Sequence, residues 1–126
     1  NLFISPPSLS QSAALAVFEC FDELDENVAR YATNRELLLN ELPQAGLKSL
    51  APSDGAFYIY ADVSNFTDDS EEFCSLILAE TGVALTPGID FDQEHGNSYI
   101  RICYAGAIDE VTAAVGRLKN WFSQRR

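Results

Sequence analysis

The stretch Ser98-Tyr99-Ile100-Arg101-Ile102-Cys103-Tyr104-Ala105, closed by Gly106, decides the reading of this chain. β-Branched and aromatic residues dominate it, which marks a strand. Side chains alternate across a strand, so Tyr99, Arg101 and Cys103 share one face and Ile100, Ile102 and Tyr104 the other. Downstream, Ile108, Val111, Val115, Leu118 and Phe122 step by 3, 4, 3 and 4. That spacing predicts a helix over about 109–122 with one narrow face packed on a sheet.

Working back toward the start, 83–86 reads as a short apolar strand closed by Pro87-Gly88, followed by a loop over 89–97. Asp68 or Asp69 can cap a helix running to about Thr81, with Phe73, Leu76 and Ile77 inward and Gly82 as its stop. Residues 56–63 (Ala-Phe-Tyr-Ile-Tyr-Ala-Asp-Val) form a second firm strand, preceded by a turn at Pro52-Ser53-Asp54-Gly55 and a short mixed strand candidate at 47–51. A helix over 23–42 places Leu24, Val28, Tyr31, Leu38 and Leu42 on one side, and Pro43 and Gly46 end it. Before it, 9–21 is rich in Ala, Leu and Val and reads as a mostly buried helix. Ser8 and Gln11 are its capping-box candidates, Pro6-Pro7 is extended, and the break between the two helices falls near Phe21 or Asp22.

The predicted order is α, α, β, β, α, β, β, α. Helices covering one face of a small, mostly antiparallel sheet is the economical arrangement, an α+β fold preceded by two N-terminal helices. One domain over 1–126 suits the length. Residues 1–42 form its N-terminal helical part, and 43–126 hold the sheet and its helices.

The bulk numbers narrow the partners. A net charge of −11 disfavours nucleic acid and anionic membrane surfaces. No apolar run approaches the roughly 18 residues of a membrane helix. The three cysteines, Cys20, Cys74 and Cys103, are far apart and lie in apolar surroundings. They are expected to be buried free thiols in a reducing compartment, which points to the cytoplasm. A zinc site is disfavoured because His95 is the only histidine and no two cysteines have ligand spacing. The chain has no methionine and opens inside an apparently structured segment, so it is expected to be a piece of a longer protein.

Arg101 is the first candidate for chemistry. A guanidinium on a rigid strand can grip a carboxylate through two parallel hydrogen bonds. The commoner role of a mid-strand arginine is that of a surface residue paired with an aspartate across the strand. Pro87-Gly88 with Phe91 could let backbone approach a ligand closely, as could Gly55-Ala56-Phe57 at the strand start; either could be an ordinary turn. Ser5, Ser8 and Ser10 lack a neighbouring base or nucleophile motif, and no phosphate-binding glycine pattern is present.

Four segments together resemble the C-terminal small domain of class I, fold type I, pyridoxal-phosphate-dependent aminotransferases. They are Ile4-Ser5-Pro6-Pro7-Ser8-Leu9-Ser10-Gln11, Gly55-Ala56-Phe57-Tyr58, Gly82-Val83-Ala84-Leu85-Thr86-Pro87-Gly88 and Tyr99-Ile100-Arg101-Ile102-Cys103-Tyr104-Ala105. The resemblance covers essentially the whole chain. It implies that Arg101 binds the α-carboxylate of an amino acid or 2-oxo acid, that Gly55, Ala56 and Phe57 line the substrate side of the cleft, and that Pro87, Gly88 and Phe91 lie near its mouth. It also implies a homodimer whose N-terminal segment reaches toward the neighbouring subunit, and contact with the large domain of the same protein. The family's Schiff-base lysine has no counterpart here. Only Lys48 and Lys119 are present, neither in the expected motif, so the cofactor is expected on the parent enzyme and the chain alone is expected to be inactive. The rival reading is a non-catalytic α+β module for carboxylate binding or dimerisation.

Overall fold

A computed structural model of the chain describes residues 4–125. Leu2 and Phe3, expected to face a large domain, lie outside the described residues. Short helix α1 (Ser8–Ala14) runs into a 3₁₀ segment, Leu15–Glu19, and then into long helix α2 (Phe21–Ala45). The break falls at Cys20, whose φ of −116° and ψ of 41° are not helical. Strand β1 (Tyr58–Asp62), helix α3 (Ser70–Thr81), strand β2 (Thr86–Pro87), strand β3 (Tyr99–Cys103) and helix α4 (Ile108–Ser123) follow. The sheet order is β1-β3-β2, and both pairings are antiparallel. The α+β expectation holds.

Alternation along β1 and β3 sorts their side chains as expected. Ile59 and Ala61 of β1 and Ile100 and Ile102 of β3 are buried, joined by Tyr104 just beyond the strand. Against them lie Leu38, Leu42 and Ala45 of α2, Phe73, Cys74 and Ile77 of α3, and Val115, Leu118 and Phe122 of α4, in one apolar cluster. Each large side chain so buried contributes about 1.5–3 kcal/mol. Trp121 closes the edge of this core, its indole N–H donating to Glu80 at 2.6 Å. Asp69 caps α3 by accepting the backbone N–H groups of Glu71 and Glu72. Gly82 ends that helix at φ +67°, in the left-handed region that only glycine enters cheaply.

Several expectations are corrected. Helix α2 runs through Pro43 to Ala45 and ends at Gly46, which takes φ +116°. Ser8 makes no capping bond, and Gln11 instead donates its amide to the carbonyl of Pro6 at 2.9 Å. Segment 47–51 forms only one bridge, Leu50 to Ala61, because Pro52 follows at once and has no N–H to extend a ladder. Strand β2 is two residues long, starting at Thr86. Leu76 is exposed, since Phe73, Cys74 and Ile77 set the inward face of α3 and Leu76 falls on the opposite flank. All three cysteines are free, but only Cys74 is buried; Cys20 is half-buried and Cys103 is exposed. Apolar neighbours in sequence misled there, for strand parity already places Cys103 on the open face with Arg101.

The helix over 9–21 is the largest departure. No residue of α1 or of the 3₁₀ segment is buried. Ile4, Leu9, Leu15, Phe18 and Phe21 are each at least 60% exposed, and Val28 on the first half of α2 is 63% exposed. Helix α2 packs on the domain from about Tyr31 onward, with Leu38 and Leu42 in the core beside α4.

Candidate functional site

The open face of the sheet carries the site. Arg101 sits at the centre of β3, directly opposite Tyr60 of β1 on one side and Thr86 of β2 on the other. Its Nη2 donates to the Thr86 hydroxyl at 3.3 Å. Its guanidinium carbon lies 4.7 Å from the centre of the Phe91 ring and 5.5 Å from that of Tyr58. Flanking π faces attract the cation and fix the plane of its fork. No carboxylate of the described residues is in ion-pair range of Arg101, and its Nε is buried with no partner. The arrangement is not that of a surface arginine paired across the strand.

Arg101 borders a cleft of about 500 Å³. Gly55, Ala56, Tyr58, Tyr60, Phe91 and Asp92 also line it, and the 51–53 segment closes its upper side. Gly55, Ala56 and Phe91 are thus brought together with Arg101. Phe57 is not in the lining: its ring is half exposed and meets Tyr58 edge-on at 6.0 Å, while its carbonyl accepts the Tyr104 N–H at 2.8 Å.

The cleft wall is fastened from behind. Ala56 adopts φ +60°, the left-handed region that a residue with a Cβ rarely enters. The Tyr104 hydroxyl donates to the Ala56 carbonyl at 3.3 Å, and Arg35 of α2 donates through Nε to the Ser53 carbonyl at 2.5 Å while pairing with Asp54 at 3.6 Å. On the other side, Gly88 and Gly96 pack backbone on backbone. A Cβ on Gly88 would stand 2.4 Å from the Gly96 oxygen and 2.6 Å from the Tyr99 oxygen. That close approach draws the 88–98 loop against β3 and sets Phe91 over Arg101. Ser70 at the start of α3 accepts the Ile89 N–H at 3.4 Å, securing the same loop from below.

Asp92 is the second charged side chain of the cleft. Its carboxylate accepts the backbone N–H groups of Glu94 at 2.9 Å and His95 at 3.0 Å. The His95 bond, then that of Glu94, holds its pKa below the usual carboxylate value. The Tyr60 hydroxyl, buried and without a partner, is pushed the other way: burial raises its pKa first, then the charge of Asp92, then Tyr99. The Tyr60 ring stacks flat on Tyr99 at 4.9 Å.

Sequence reasoning passed over Tyr58, Tyr60, Thr86 and Asp92. The same alternation that placed Arg101 would have placed Tyr58 and Tyr60 on the open face of β1, out of phase with Ile59 and Ala61. Asp92 offered no such signal, since its loop position depends on the Gly88–Gly96 contact.

The family model described as aminotransferase class I and II matches residues 1–118. The valine–pyruvate aminotransferase of Mycobacterium tuberculosis is 53% identical over 96% of this chain, which spans 32% of that protein. The (5-formylfuran-3-yl)methyl phosphate transaminase of Methanocaldococcus jannaschii is 36% identical over 98% of the chain and 33% of its own length. The crystal structure of an aminotransferase from Mycobacterium tuberculosis superposes with a TM-score of 0.87 at 52% identity, covering 96% of this chain and 32% of that one. The chain therefore spans about a third of the length of the relatives it matches.

Proposed function

Because the chain belongs to the class I and II aminotransferases, we propose that it is the C-terminal small domain of a pyridoxal-phosphate-dependent enzyme that moves an amino group between an amino acid and a 2-oxo acid. Its part is to grip the substrate α-carboxylate through Arg101. The observation that carries this is an arginine placed in a cleft between aromatic rings, with no carboxylate of the described residues in ion-pair range of it. The fork of a guanidinium matches a carboxylate through two parallel hydrogen bonds. Thr86 and the rings of Phe91 and Tyr58 orient that fork before substrate arrives, so less freedom is lost on binding. Gly55 and Ala56 leave room on one wall, Phe91 covers the other, and Phe57 stands beside them at the end of β1.

The residues present do not fit the cofactor itself. Lys119 is ion-paired with Glu41 between α4 and α2, Lys48 is exposed outside the cleft, and neither can serve as a Schiff-base lysine beside Arg101. The reading therefore assigns the cofactor lysine and the cofactor's phosphate and ring contacts to the rest of the enzyme, and this chain alone is inactive. The apolar ridge of Ile4, Leu9, Leu15, Phe18 and Phe21 supports a division in which residues 1–42 face the large domain and a second subunit of a homodimer, while 43–126 hold the site. An apolar surface of that extent marks a contact region. Three free thiols suit a cytoplasmic enzyme.

The test is steady-state transamination by the full enzyme carrying Arg101→Leu. Hydrogen bonds to charged groups contribute on the order of 1.5–3 kcal/mol each. Loss of the pair is expected to lower kcat/KM at least about a hundredfold, roughly 2.7 kcal/mol. Arg101→Lys keeps the charge without the fork and restores activity only in part. Cofactor absorbance stays as in the parent. Near-normal kcat/KM for the leucine variant refutes the assignment.

A further inference from the structure

Asp92 shares the cleft with Arg101, and these two are the only charged side chains among the described residues that line it. We infer that Asp92 is a selectivity residue that turns away substrates bearing a second carboxylate, so that the site favours amino acids with uncharged side chains and 2-oxo acids with one carboxylate. The inference rests on the reading of Arg101 as the α-carboxylate clamp.

The argument starts from what the cleft can offer once that clamp is occupied. Its one cation is spent on the α-carboxylate. The surfaces left for a side chain are the 51–53 segment, Gly55, Ala56 and the aromatic residues, with Asp92 beside Phe91. A distal carboxylate entering there finds no positive partner among the described residues that line the cleft, and one fixed negative charge. The two backbone N–H groups of Glu94 and His95 bind the ionised form of Asp92, so proton uptake does not relieve the repulsion near neutral pH. The His95 imidazole stands 3.6 Å from the other carboxylate oxygen but is not part of the cleft lining. The Asp92 side chain is 44% exposed, so its field reaches the solvent that a substrate side chain would displace, and salt screens it. A group this accessible exerts a modest effect, of the size that shifts preference without abolishing turnover.

Asp92 also caps its own turn, and the test separates the two roles. Asparagine keeps an oxygen that accepts both N–H groups while removing the charge. In the full enzyme, kcat/KM is measured for L-leucine and L-glutamate as donors, at about 50 mM and about 500 mM salt, where the screening length falls from roughly 14 Å to roughly 4 Å. The parent is expected to prefer leucine, by a margin that narrows in high salt. Asp92→Asn is expected to raise kcat/KM for glutamate about threefold while leaving leucine within about twofold, and to lose the salt dependence of the ratio. Asp92→Ser, which can also cap the turn, moves the ratio the same way. A parent that prefers glutamate overturns the inference, as do variants that lower both donors equally, the result of a turn cap alone. Arg101→Lys, measured beside them, tells the failures apart. If it leaves both donors untouched, the clamp reading itself has failed. If it impairs both while Asp92→Asn leaves the ratio fixed, only the role of Asp92 is refuted.

Discussion

Asn34 is fully buried on α2, and its side-chain amide donates to the carbonyls of Tyr104 and Gly106, each at 3.0 Å. Those two carbonyls end β3 and lead into α4, so one side chain ties the long helix to the strand that bears Arg101. Replacing Asn34 by alanine removes both bonds and leaves the acceptors without a donor. The bond to Tyr104 is buried, and losing it costs about 1.5–2 kcal/mol; the bond to Gly106 is partly open to water and costs about 0.5–1 kcal/mol. The Asn34 Oδ1 has no partner already, so its removal subtracts nothing. The total is about 2–3 kcal/mol, which for a chain of this length lowers Tm by about 8–12 °C. Thermal unfolding by circular dichroism and urea titration measure it. Asn34→Asp sharpens the test, because a carboxylate facing two carbonyl oxygens can donate only when protonated. Its folded pKa is therefore raised above the unfolded value, and its stability is expected to fall as pH rises from about 4 to about 7. An alanine variant within about 0.5 kcal/mol of the parent, or an aspartate variant indifferent to pH, refutes the reasoning.

Gly88→Ala forces a Cβ to within 2.4 Å of the Gly96 oxygen, a backbone atom that cannot swing aside. Stability is expected to drop by at least about 2 kcal/mol, and Phe91 to shift off Arg101, seen as loss of kcat/KM in the full enzyme. Ala56→Gly relieves the +60° φ and is expected to leave stability unchanged or raise it by up to about 1 kcal/mol, whereas Ala56→Val lowers it by more than about 1 kcal/mol; urea titration ranks the three. Cys103 is expected to react with a thiol reagent fastest, Cys20 more slowly, and Cys74 only on unfolding, as mass mapping of the modified peptides would show. Burial, with Asp90 nearby, pushes the Cys74 thiol up to about 11 from about 9. The folded state therefore holds that proton longer than the unfolded one. Its contribution is whole below pH 9 and is lost as pH rises toward 11, which alkaline unfolding curves of a Cys74→Ala variant and the parent should separate.

The local periods of the chain were enough to place much of this fold. Strand parity set Ile100, Ile102 and Tyr104 inward and Arg101 outward, and the 3,4,3,4 spacing set the buried face of α4. Asp69 and Gly82 marked the ends of α3. Each of these depends on side-chain direction within one element, which the sequence dictates whatever lies nearby. The resemblance to aminotransferases came from motifs in that same linear order. Asn34, by contrast, interrupts the apolar positions Tyr31 and Leu38, and nothing near it in sequence names the two carbonyls about 70 residues on that it serves.

What only the tertiary structure decided are the relations between elements. The β1–β3 register puts Tyr60 beside Arg101. The Gly88–Gly96 contact swings Phe91 over the guanidinium and leaves Asp92 in the cleft. The apolar helix before Cys20 shows the same division from the other direction. Its composition predicted burial, but composition cannot say whether the residues that follow supply the covering surface; the fold shows that their core is filled by α3, α4 and α2 from Tyr31 onward. Periodicity fixes which way a side chain points, because that is a property of one backbone. What it points at depends on chain segments brought together over long sequence separations, and those are set by packing.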